Sequence, residues 1–395
     1  MSKTEWKEKH VKLGGAIIGA AITLVLGFVL GLNWNNYAPY LGGKTSSSAS
    51  ISWNELNEVY STLASNYDGD LSKSEIIEGA KRGLVDAVGD PYTVFLNKED
   101  TEEFNKSLHG DVGAGVGIEM GLRDGYVRVL RTLPDNPARK AGVLAGDIIY
   151  KVDDEDVYSW STEDIANVLR GSAGSSVRLT VVRDGEEKSF NLVREVINNV
   201  SAYSDLKDNS VAVITVTRFD TDTGALVKSF ANDIINRGTK KLILDLRGNG
   251  GGYVSAAKDL LSLWLDGEKI LIQKSKFDPI DDITYSSRNT ALFANLETII
   301  LVNRNTASAS EIVAGALKDY KKATIIGETT FGKGVVQTML NLSGGTTLKV
   351  TTAHWYTPLG STINETGIEP DFEVVNTYDD TNHFRDPQMD AALNY

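Results

Sequence analysis

The sequence feature that most constrains the fold is a run of 20 residues without a charged side chain, residues 13–32. At a rise of about 1.5 Å per residue, a helix of this length measures roughly 30 Å, which matches the apolar thickness of a bilayer. Residues 1–12 carry four lysines against two glutamates, a bias that keeps a flanking segment in the cytoplasm. We therefore expect a cytoplasmic leader (1–12) and a single transmembrane anchor (13–34), with the rest of the chain outside the cytoplasm.

A cleaved signal peptide is the alternative interpretation of this apolar run. Its apolar region is usually about 7 to 15 residues long, and no convincing cleavage site precedes the following serine-rich stretch. The length of the run favours an uncleaved anchor in the cell membrane.

Beyond the anchor, the sequence pattern changes four times. Residues 35–52 are rich in glycine and serine, as is typical of a flexible tether. Residues 53–109 have helical spacing of apolar residues, and residues 110–195 have the short strands and turns of a β-rich domain. In residues 196–378 strands alternate with helices, which predicts a mixed α/β core, followed by a tail at 379–395.

Composition excludes several classes of function. The chain has 395 residues and a net charge of −13, with 53 acidic residues against 40 basic ones, so it lacks the basic clusters of a nucleic-acid-binding protein. It contains no cysteine, which excludes disulfides and thiolate metal sites, and no H-E-x-x-H motif. We expect no cofactor and no metal.

The segment 306–338 contains the residues best suited to nucleophilic catalysis. Ser308 stands at the start of an apolar-periodic helix, and Lys333 follows 25 residues later between two glycines. A serine hydroxyl needs a base, and a lysine amine can serve as that base where burial lowers its pKa enough to leave it neutral. With no cysteine and four histidines in the chain, a Ser-Lys pair is the simplest hypothesis.

Two other interpretations of this segment exist. Residues 327–333 read G-x-x-x-x-G-K, but a phosphate-binding loop needs Ser or Thr where Gly334 stands, followed by a helix rather than this strand-like run. Ser308 and Glu311 also form the pattern of a capping box, in which Ser308 would only cap a helix. Ser310 is the alternative nucleophile.

The two halves of the segment, TASASEIVAGALKD and GETTFGKGVVQT, closely resemble the active-site signature of the carboxyl-terminal processing (tail-specific) serine peptidases. The resemblance covers roughly residues 53–394. It implies that Ser308 is the nucleophile, Lys333 the general base and Gln337 a residue that supports the lysine. Because side chains four residues apart on a regular strand are separated by about 13 Å, contact between Lys333 and Gln337 requires a bend at Gly334.

The same resemblance implies an oxyanion hole. Residues 247–252 read RGNGGG between a predicted strand and its helix, and their backbone N–H groups could stabilise a developing negative charge. The family pattern points to Gly251, and less directly Gly252, together with the amide of Ala309. Asp319, which some family members need, is expected to give structural support because it lies about 16 Å from Ser308 along the helix axis.

The β-rich region resembles a PDZ domain in the stretches GAGVGIEM (113–120), PARKAGVLAGDIIYKVD (137–153) and LRGSAGSSVRLTV (169–181). In PDZ domains a glycine-rich loop holds the terminal carboxylate of a peptide, which adds as a strand beside it. The resemblance assigns substrate binding to four loop residues: Gly115, Val116, Gly117 and Ile118. It also makes Arg170 a candidate link to the active site, with a surface arginine at a helix C-terminus as the alternative.

Together these features predict a membrane-anchored serine endopeptidase that recognises the free C-terminus of a protein or peptide substrate and cleaves extracytoplasmic proteins. A non-catalytic PDZ-based binding or tethering protein at the cell envelope is the alternative class. The resemblance of the helical N-terminal region, 53–109, further implies a homodimer or higher homo-oligomer.

Overall fold

The computed structural model describes residues 52–207, 210–288 and 290–395. The predicted leader, the predicted transmembrane anchor and all but the last residue of the predicted tether lie outside the described residues. Within the described ranges, no helix combines the length and the apolar character that crossing a bilayer requires.

Helices dominate the N-terminal part of the described chain. In chain order its elements are α1 (Trp53–Asn66), α2 (Lys73–Asp86), β1 (Val94–Leu96) and α3 (Lys98–Leu108). One compact unit ends at Ile76, and the features described below belong to the second unit, Ile77–Tyr395. The start of α3 follows from its capping box, since the Asp100 N–H donates to the Asn97 side chain at 2.8 Å.

The region predicted to resemble a PDZ domain is a β-rich unit. Its elements are β2 (Ala114–Gly115), β3 (Ile118–Arg123), β4 (Tyr126–Thr132), α4 (Pro137–Ala141), β5 (Ile148–Val152), β6 (Glu155–Asp156), α5 (Thr162–Leu169), β7 (Ser176–Arg183), β8 (Glu186–Val193) and β9 (Glu195–Val196). The main sheet has the order β3-β4-β5-β7-β8, so that β3 lies at its edge. Alternate residues of β7, such as Val177 and Leu179, are buried with Ile165 of α5 in a separate hydrophobic core.

The remaining elements form two sheets with their helices. They are β10 (Ala202–Lys207), β11 (Val211–Val216), α6 (Thr223–Asn236), β12 (Lys241–Asp245), α7 (Val254–Leu261), β13 (Lys269–Ser275), β14 (Asp278–Tyr285), β15 (Glu297–Val302), α8 (Ala309–Asp319), β16 (Thr324–Gly327), β17 (Val335–Asn341), β18 (Thr347–Tyr356), β19 (Phe372–Glu373), α9 (Tyr378–Asn382) and α10 (Pro387–Asn394).

The larger of these sheets has the order β10-β11-β12-β15-β16-β19 and is parallel except for β10. Its central strands are buried on both faces: Leu244 packs in the cluster that includes α6, α7 and α8, whereas Ile243 packs with Ala392 of α10. This double burial explains the continuous apolar runs of the strand sequences. In such sheets, binding sites form beyond the carboxyl ends of the strands, here after β12 and β15.

The second sheet contains β1, β18, β13 and β14, with β17 paired to β18. The hairpin of β17 and β18 carries the segment that follows Lys333. β1 pairs with β18 through Val94 and Lys349, so the segment between α2 and α3 contributes a strand to this sheet.

Candidate active site

Ser308 lies beyond the carboxyl end of β15, immediately before α8. Its φ of 56° and ψ of −117° fall in a region that residues with a side chain rarely adopt. Such a conformation costs about 1–3 kcal/mol and persists where the surroundings hold it. Its N–H donates to the Glu311 carboxylate at 2.8 Å, and the Glu311 N–H donates to the Ser308 carbonyl at 2.8 Å. Ser308 and Glu311 are thus joined through the backbone of each residue at the start of α8.

Ser310, the alternative nucleophile, has a different environment. It is completely buried, and its hydroxyl donates to the Asn249 carbonyl at 2.9 Å. The Ala307 N–H donates to the same carbonyl at 3.0 Å. Ser310 therefore fastens the glycine-rich loop to the start of α8, and the partly exposed Ser308 is the serine available to a substrate.

Glu311 joins the two segments of the site, a role that the sequence analysis missed. Its completely buried carboxylate accepts hydrogen bonds from the N–H groups of Ser308 at 2.8 Å and Lys333 at 3.0 Å. It also accepts from the Thr330 hydroxyl at 2.6 Å and the Gly332 N–H at 2.7 Å. A carboxylate with four donors is well stabilised in a dry interior, and this one holds both backbones. The S-x-x-E spacing was the only signal for it in the sequence.

Hydrogen bonds hold the backbone of Lys333 at both its N–H and its carbonyl. Its N–H donates to Glu311, and its carbonyl accepts from the Trp355 indole at 2.9 Å. Its Nζ lies 5.3 Å from the centre of the Tyr92 ring, a contact that the sequence analysis also missed. Tyr92 precedes β1, so the segment that leads into β1 reaches the site.

The electrostatic environment of Lys333 lowers the pKa of its amine below the ordinary value. Burial is the largest cause because it disfavours the ammonium form, and the nearby Lys349 acts in the same direction. Glu311 opposes the shift, and the Tyr92 ring also favours the charged form. Burial likewise lowers the pKa of Lys349. Two lysines with lowered pKa values therefore share one site.

Ser308, Lys333 and Gln337 line one cavity of about 430 Å³. Lys333 precedes β17, and the pairing of β17 with β18 shifts register between Val336 and Gln337. The strand is therefore irregular between Lys333 and Gln337, and both residues line the cavity. The buried Gln337 Nε2 has no hydrogen-bond partner among the described residues, so it remains available within the cavity.

The glycine-rich loop contacts the start of α8 closely. A Cβ on Gly251 would lie 2.8 Å from the Cβ of Ser308, so this position requires glycine. The Gly251 N–H already donates to Asn249 Oδ1 at 2.9 Å, and it is not a free oxyanion donor in this conformation. Gly252 lines the cavity, and its N–H has no acceptor in the described part of the chain. Gly251, Gly252 and Ala309 therefore all stay predictions as oxyanion donors, and the N–H of Gly251 is engaged in this conformation.

The predicted peptide-binding residues line a second cavity, of about 510 Å³. Its walls include the edge strand β3 and α5, and all four predicted loop residues face it: Gly115, Val116, Gly117 and Ile118. We call this cavity the peptide groove. At Gly117, φ is 76° and a Cβ would lie 2.3 Å from the Cβ of Asn136, so only glycine fits.

Arg170 lies in the peptide groove at the C-terminal end of α5, where its guanidinium donates to Asn167 Oδ1 at 3.3 Å. It does not line the cavity of Ser308 within the described structure. The arginine that lines both cavities is Arg218, which the sequence analysis did not single out. Asp319, at the end of α8, accepts from the Leu359 N–H at 2.8 Å, a structural contact.

Three segments of the chain match known families. Residues 210–374 match peptidase family S41, residues 128–183 match the PDZ domain, and residues 34–100 match the N-terminal domain of the activating protease CtpB. The S41 match contains the segments of Ser308 and Lys333.

Individual proteins extend this similarity over most of the chain. A probable CtpA-like serine protease of Staphylococcus aureus is 33% identical over 369 residues, which cover 93% of this chain and 72% of the relative. The photosystem II D1 C-terminal processing protease is 30% identical with a TM-score of 0.52, covering 82% of this chain and 87% of that one. A putative S41 protease from Bacteroides fragilis has a TM-score of 0.59 at 14% identity, covering 89% of this chain and 98% of that one, and shares the fold.

Proposed function

Because the chain belongs to the S41 family of serine peptidases, we propose that it is an endopeptidase with Ser308 as nucleophile and Lys333 as general base. The observation that carries this proposal is the shared cavity of the two residues, whose backbones are joined by the buried carboxylate of Glu311. The lowered pKa of Lys333 supports the role of a base, which must be neutral to accept a proton.

In the proposed mechanism, Ser308 Oγ attacks the scissile carbonyl carbon while its proton passes to the neutral Lys333 amine. The ammonium then protonates the leaving amine, so that the C–N bond breaks and an acyl-enzyme remains on Ser308. Water attacks this ester with the lysine as base again, which releases the product and restores the hydroxyl. Gln337, in the same cavity, is proposed to orient the lysine side chain.

The oxyanion of the tetrahedral intermediate is proposed to bind the N–H groups of Ala309 and Gly252. Ala309 opens α8, where unpaired N–H groups and the helix dipole favour negative charge. Gly251 could add a third donor only after its bond to Asn249 Oδ1 is broken.

Substrate recognition is proposed to start at the peptide groove, where the free C-terminus of a protein adds as a strand to the edge of β3. The loop from Gly115 to Ile118 would hold the terminal carboxylate. The chain upstream of this end would then extend to Ser308 and be cleaved there.

Amidating the C-terminus of an otherwise identical peptide is expected to reduce kcat/KM by about tenfold or more, because a neutral amide loses the charge-assisted hydrogen bonds of the carboxylate. The measurement compares free and amidated peptides with the purified full-length protein, using Ser308→Ala to exclude a contaminating protease. Equal rates for the two peptides would remove the carboxylate from recognition.

Replacing Lys349 with glutamine is expected to move the acid limb of the kcat/KM profile to higher pH. The Lys349 ammonium lowers the pKa of Lys333, so its removal raises that pKa and leaves less neutral base at a given pH. The profile is recorded with a slow substrate, so that chemistry limits the rate, and Lys228→Gln on the exposed face of α6 is the control. If the acid limb of the Lys349→Gln profile stays at the wild-type pH or moves to lower pH, Lys349 does not lower the pKa of Lys333.

The location of the protein is a separate proposal, supported by the uncharged run 13–32. We propose a single-pass anchor with a cytoplasmic N-terminus and an extracytoplasmic catalytic domain. Alkaline extraction of membranes and external proteolysis of intact cells test the anchor and the location of the catalytic domain, and a carbonate-soluble protein would exclude the anchor.

Self-association is a further proposal, supported by exposed apolar residues of α1 such as Leu56 and Val59. Sedimentation of the purified protein tests self-association.

A further inference from the structure

Arg218 stands where the peptide groove and the catalytic cavity meet. It follows β11 by two residues and lines both cavities, a position that it shares only with Ser107 among the described residues. A substrate whose C-terminus lies in the groove and whose scissile bond lies at Ser308 has to pass this junction. Arg218 is therefore placed to contact the substrate between its two ends.

The Arg218 guanidinium is held firmly at the junction. Its Nη2 donates to the Asn199 carbonyl at 2.6 Å and to the His109 carbonyl at 3.2 Å. These carbonyls belong to the two chain segments that enter and leave the PDZ-like domain. A Cβ on Gly110 would lie 2.2 Å from the Arg218 Cζ, so the guanidinium packs directly on the glycine backbone. With 16% of its side chain exposed, Arg218 has little freedom to turn away.

Arg218 forms a long ion pair with Asp220, whose carboxylate also accepts hydrogen bonds from other donors. Asp220 Oδ2 lies 3.5 Å from the Arg218 Nη2, a long contact. The Asp220 Oδ1 atom accepts from the Thr221 N–H at 2.6 Å, and the His109 Nδ1 lies 3.2 Å from it. Asp220 lines neither cavity in the described structure, so a substrate at the junction meets the arginine and not the carboxylate.

Basic residues outnumber acidic ones along the whole path, and the arginines stay positively charged although the proposed mechanism uses Lys333 in its neutral form. Those lining the groove are Glu119, Arg131, Arg170 and Arg218, and those lining the catalytic cavity are Arg218, Lys333 and Lys349. Glu119 forms an ion pair with Arg131, which offsets the only acidic residue among them. A positive path in a chain of net charge −13 is a local feature that overall composition does not explain.

From this arrangement we propose that the junction is a cationic substrate subsite in which Arg218 is the specificity-determining residue. It selects protein tails that carry an aspartate or glutamate between the free C-terminus and the scissile bond. The acidic side chain approaches the fixed guanidinium in a partly enclosed cavity, where a charge-assisted hydrogen bond is stronger than in open water. This proposal rests on the proposed function and adds a substrate class to it.

The test uses the full-length protein and a set of peptides that share one sequence except at a single varied position, all with a free C-terminus. The reference peptide is neutral upstream of its C-terminus, with glutamine at the varied positions, and each other peptide has one glutamine changed to glutamate, moving stepwise from the C-terminus. At low ionic strength, kcat/KM of wild type is expected to rise about tenfold for glutamate at one or two adjacent positions, and the ratio to fall as salt screens the charges.

Three variants of Arg218 assign the effect to this residue. Arg218→Gln is expected to bring the glutamate-to-glutamine ratio of kcat/KM close to one, and Arg218→Glu to lower this ratio below one because the two carboxylates repel each other. Arg218→Lys, which keeps the charge but not the planar fork, is expected to retain part of the preference. Arg237→Gln, which removes an exposed arginine at the end of α6, is the matched control and is expected to leave the ratio unchanged.

The outcomes separate this inference from the proposed function. Cleavage of the reference peptide that depends on Ser308, with no glutamate preference at any position, would overturn the inference alone. So would a wild-type preference that Arg218→Gln leaves intact. Failure of wild type to cleave any peptide with a free C-terminus would overturn the proposed function and the inference together. If Arg218→Gln does not fold, Arg218→Lys replaces it in the test. The inference then requires that Arg218→Lys keep part of the glutamate preference at the same position and lose it at high salt, and the absence of either result would overturn it.

Discussion

Replacing Ser308 with alanine is expected to lower kcat/KM for peptide cleavage by at least about 10³-fold, and Lys333→Ala by a similar factor. Nucleophile and base act as one unit, so the loss of either removes most of the catalysis. Neither change introduces a larger side chain, so both variants should remain folded. Cleavage of a fluorogenic peptide and circular dichroism of each purified variant measure the two properties.

Ser310→Ala is the matched control for the nucleophile. The Ser310 hydroxyl is buried and donates to the Asn249 carbonyl, so its loss is expected to loosen the glycine-rich loop but to leave substantial activity. An inactive Ser310→Ala beside an active Ser308→Ala would show that the two serines had been assigned the wrong way round. Substantial cleavage by Lys333→Ala would exclude the lysine as base.

Replacing Glu311 with alanine is expected to lower the free energy of unfolding by about 2–5 kcal/mol and kcat/KM by about 10²-fold or more. The change leaves four donors without an acceptor in a buried place, among them the N–H groups of Ser308 and Lys333. The strained backbone of Ser308 would then lose a bond that holds it. Urea denaturation and peptide cleavage measure the two effects.

Glu311→Gln is expected to resemble Glu311→Ala more than wild type, although it keeps the shape of the side chain. The amide nitrogen of glutamine is a donor, and it would face N–H groups that are also donors. Glu297→Gln, at an exposed position of β15, is the control and should change stability by less than about 0.5 kcal/mol. A Glu311→Gln variant with wild-type stability and rate would contradict the joining role of this carboxylate.

Some parts of this fold could be predicted from local sequence. The alternation of strands and helices in residues 196–378 was recognisable because a parallel sheet buried on both faces requires continuous apolar runs, as in β11, β12 and β15. The two candidate catalytic segments were recognisable because each is a compact motif. Membership of the S41 family was already indicated by these motifs, and the similarity over most of the chain establishes it.

Several features of the site could not be predicted because they depend on residues that are distant along the chain. Tyr92 contacts Lys333 through the placement of the N-terminal region, and Lys349 enters the cavity through the pairing of β18. The engaged N–H of Gly251 depends on the side-chain orientation of Asn249, which no local pattern specifies. These are products of packing, and a one-dimensional motif does not record them.

The sequence by itself determined the candidate nucleophile and base, the family, the order of helical, β-rich and α/β regions, and the glycine positions of the binding loops. It could do so because these depend on residue type, spacing and period, which are local properties. Only the tertiary structure decided that Glu311 joins the segments of Ser308 and Lys333, that Ser310 is buried, and that Arg218 rather than Arg170 lines both cavities. The physical reason is that burial and hydrogen bonding between distant segments exist only once the chain has packed, and they set which side chains a substrate can reach.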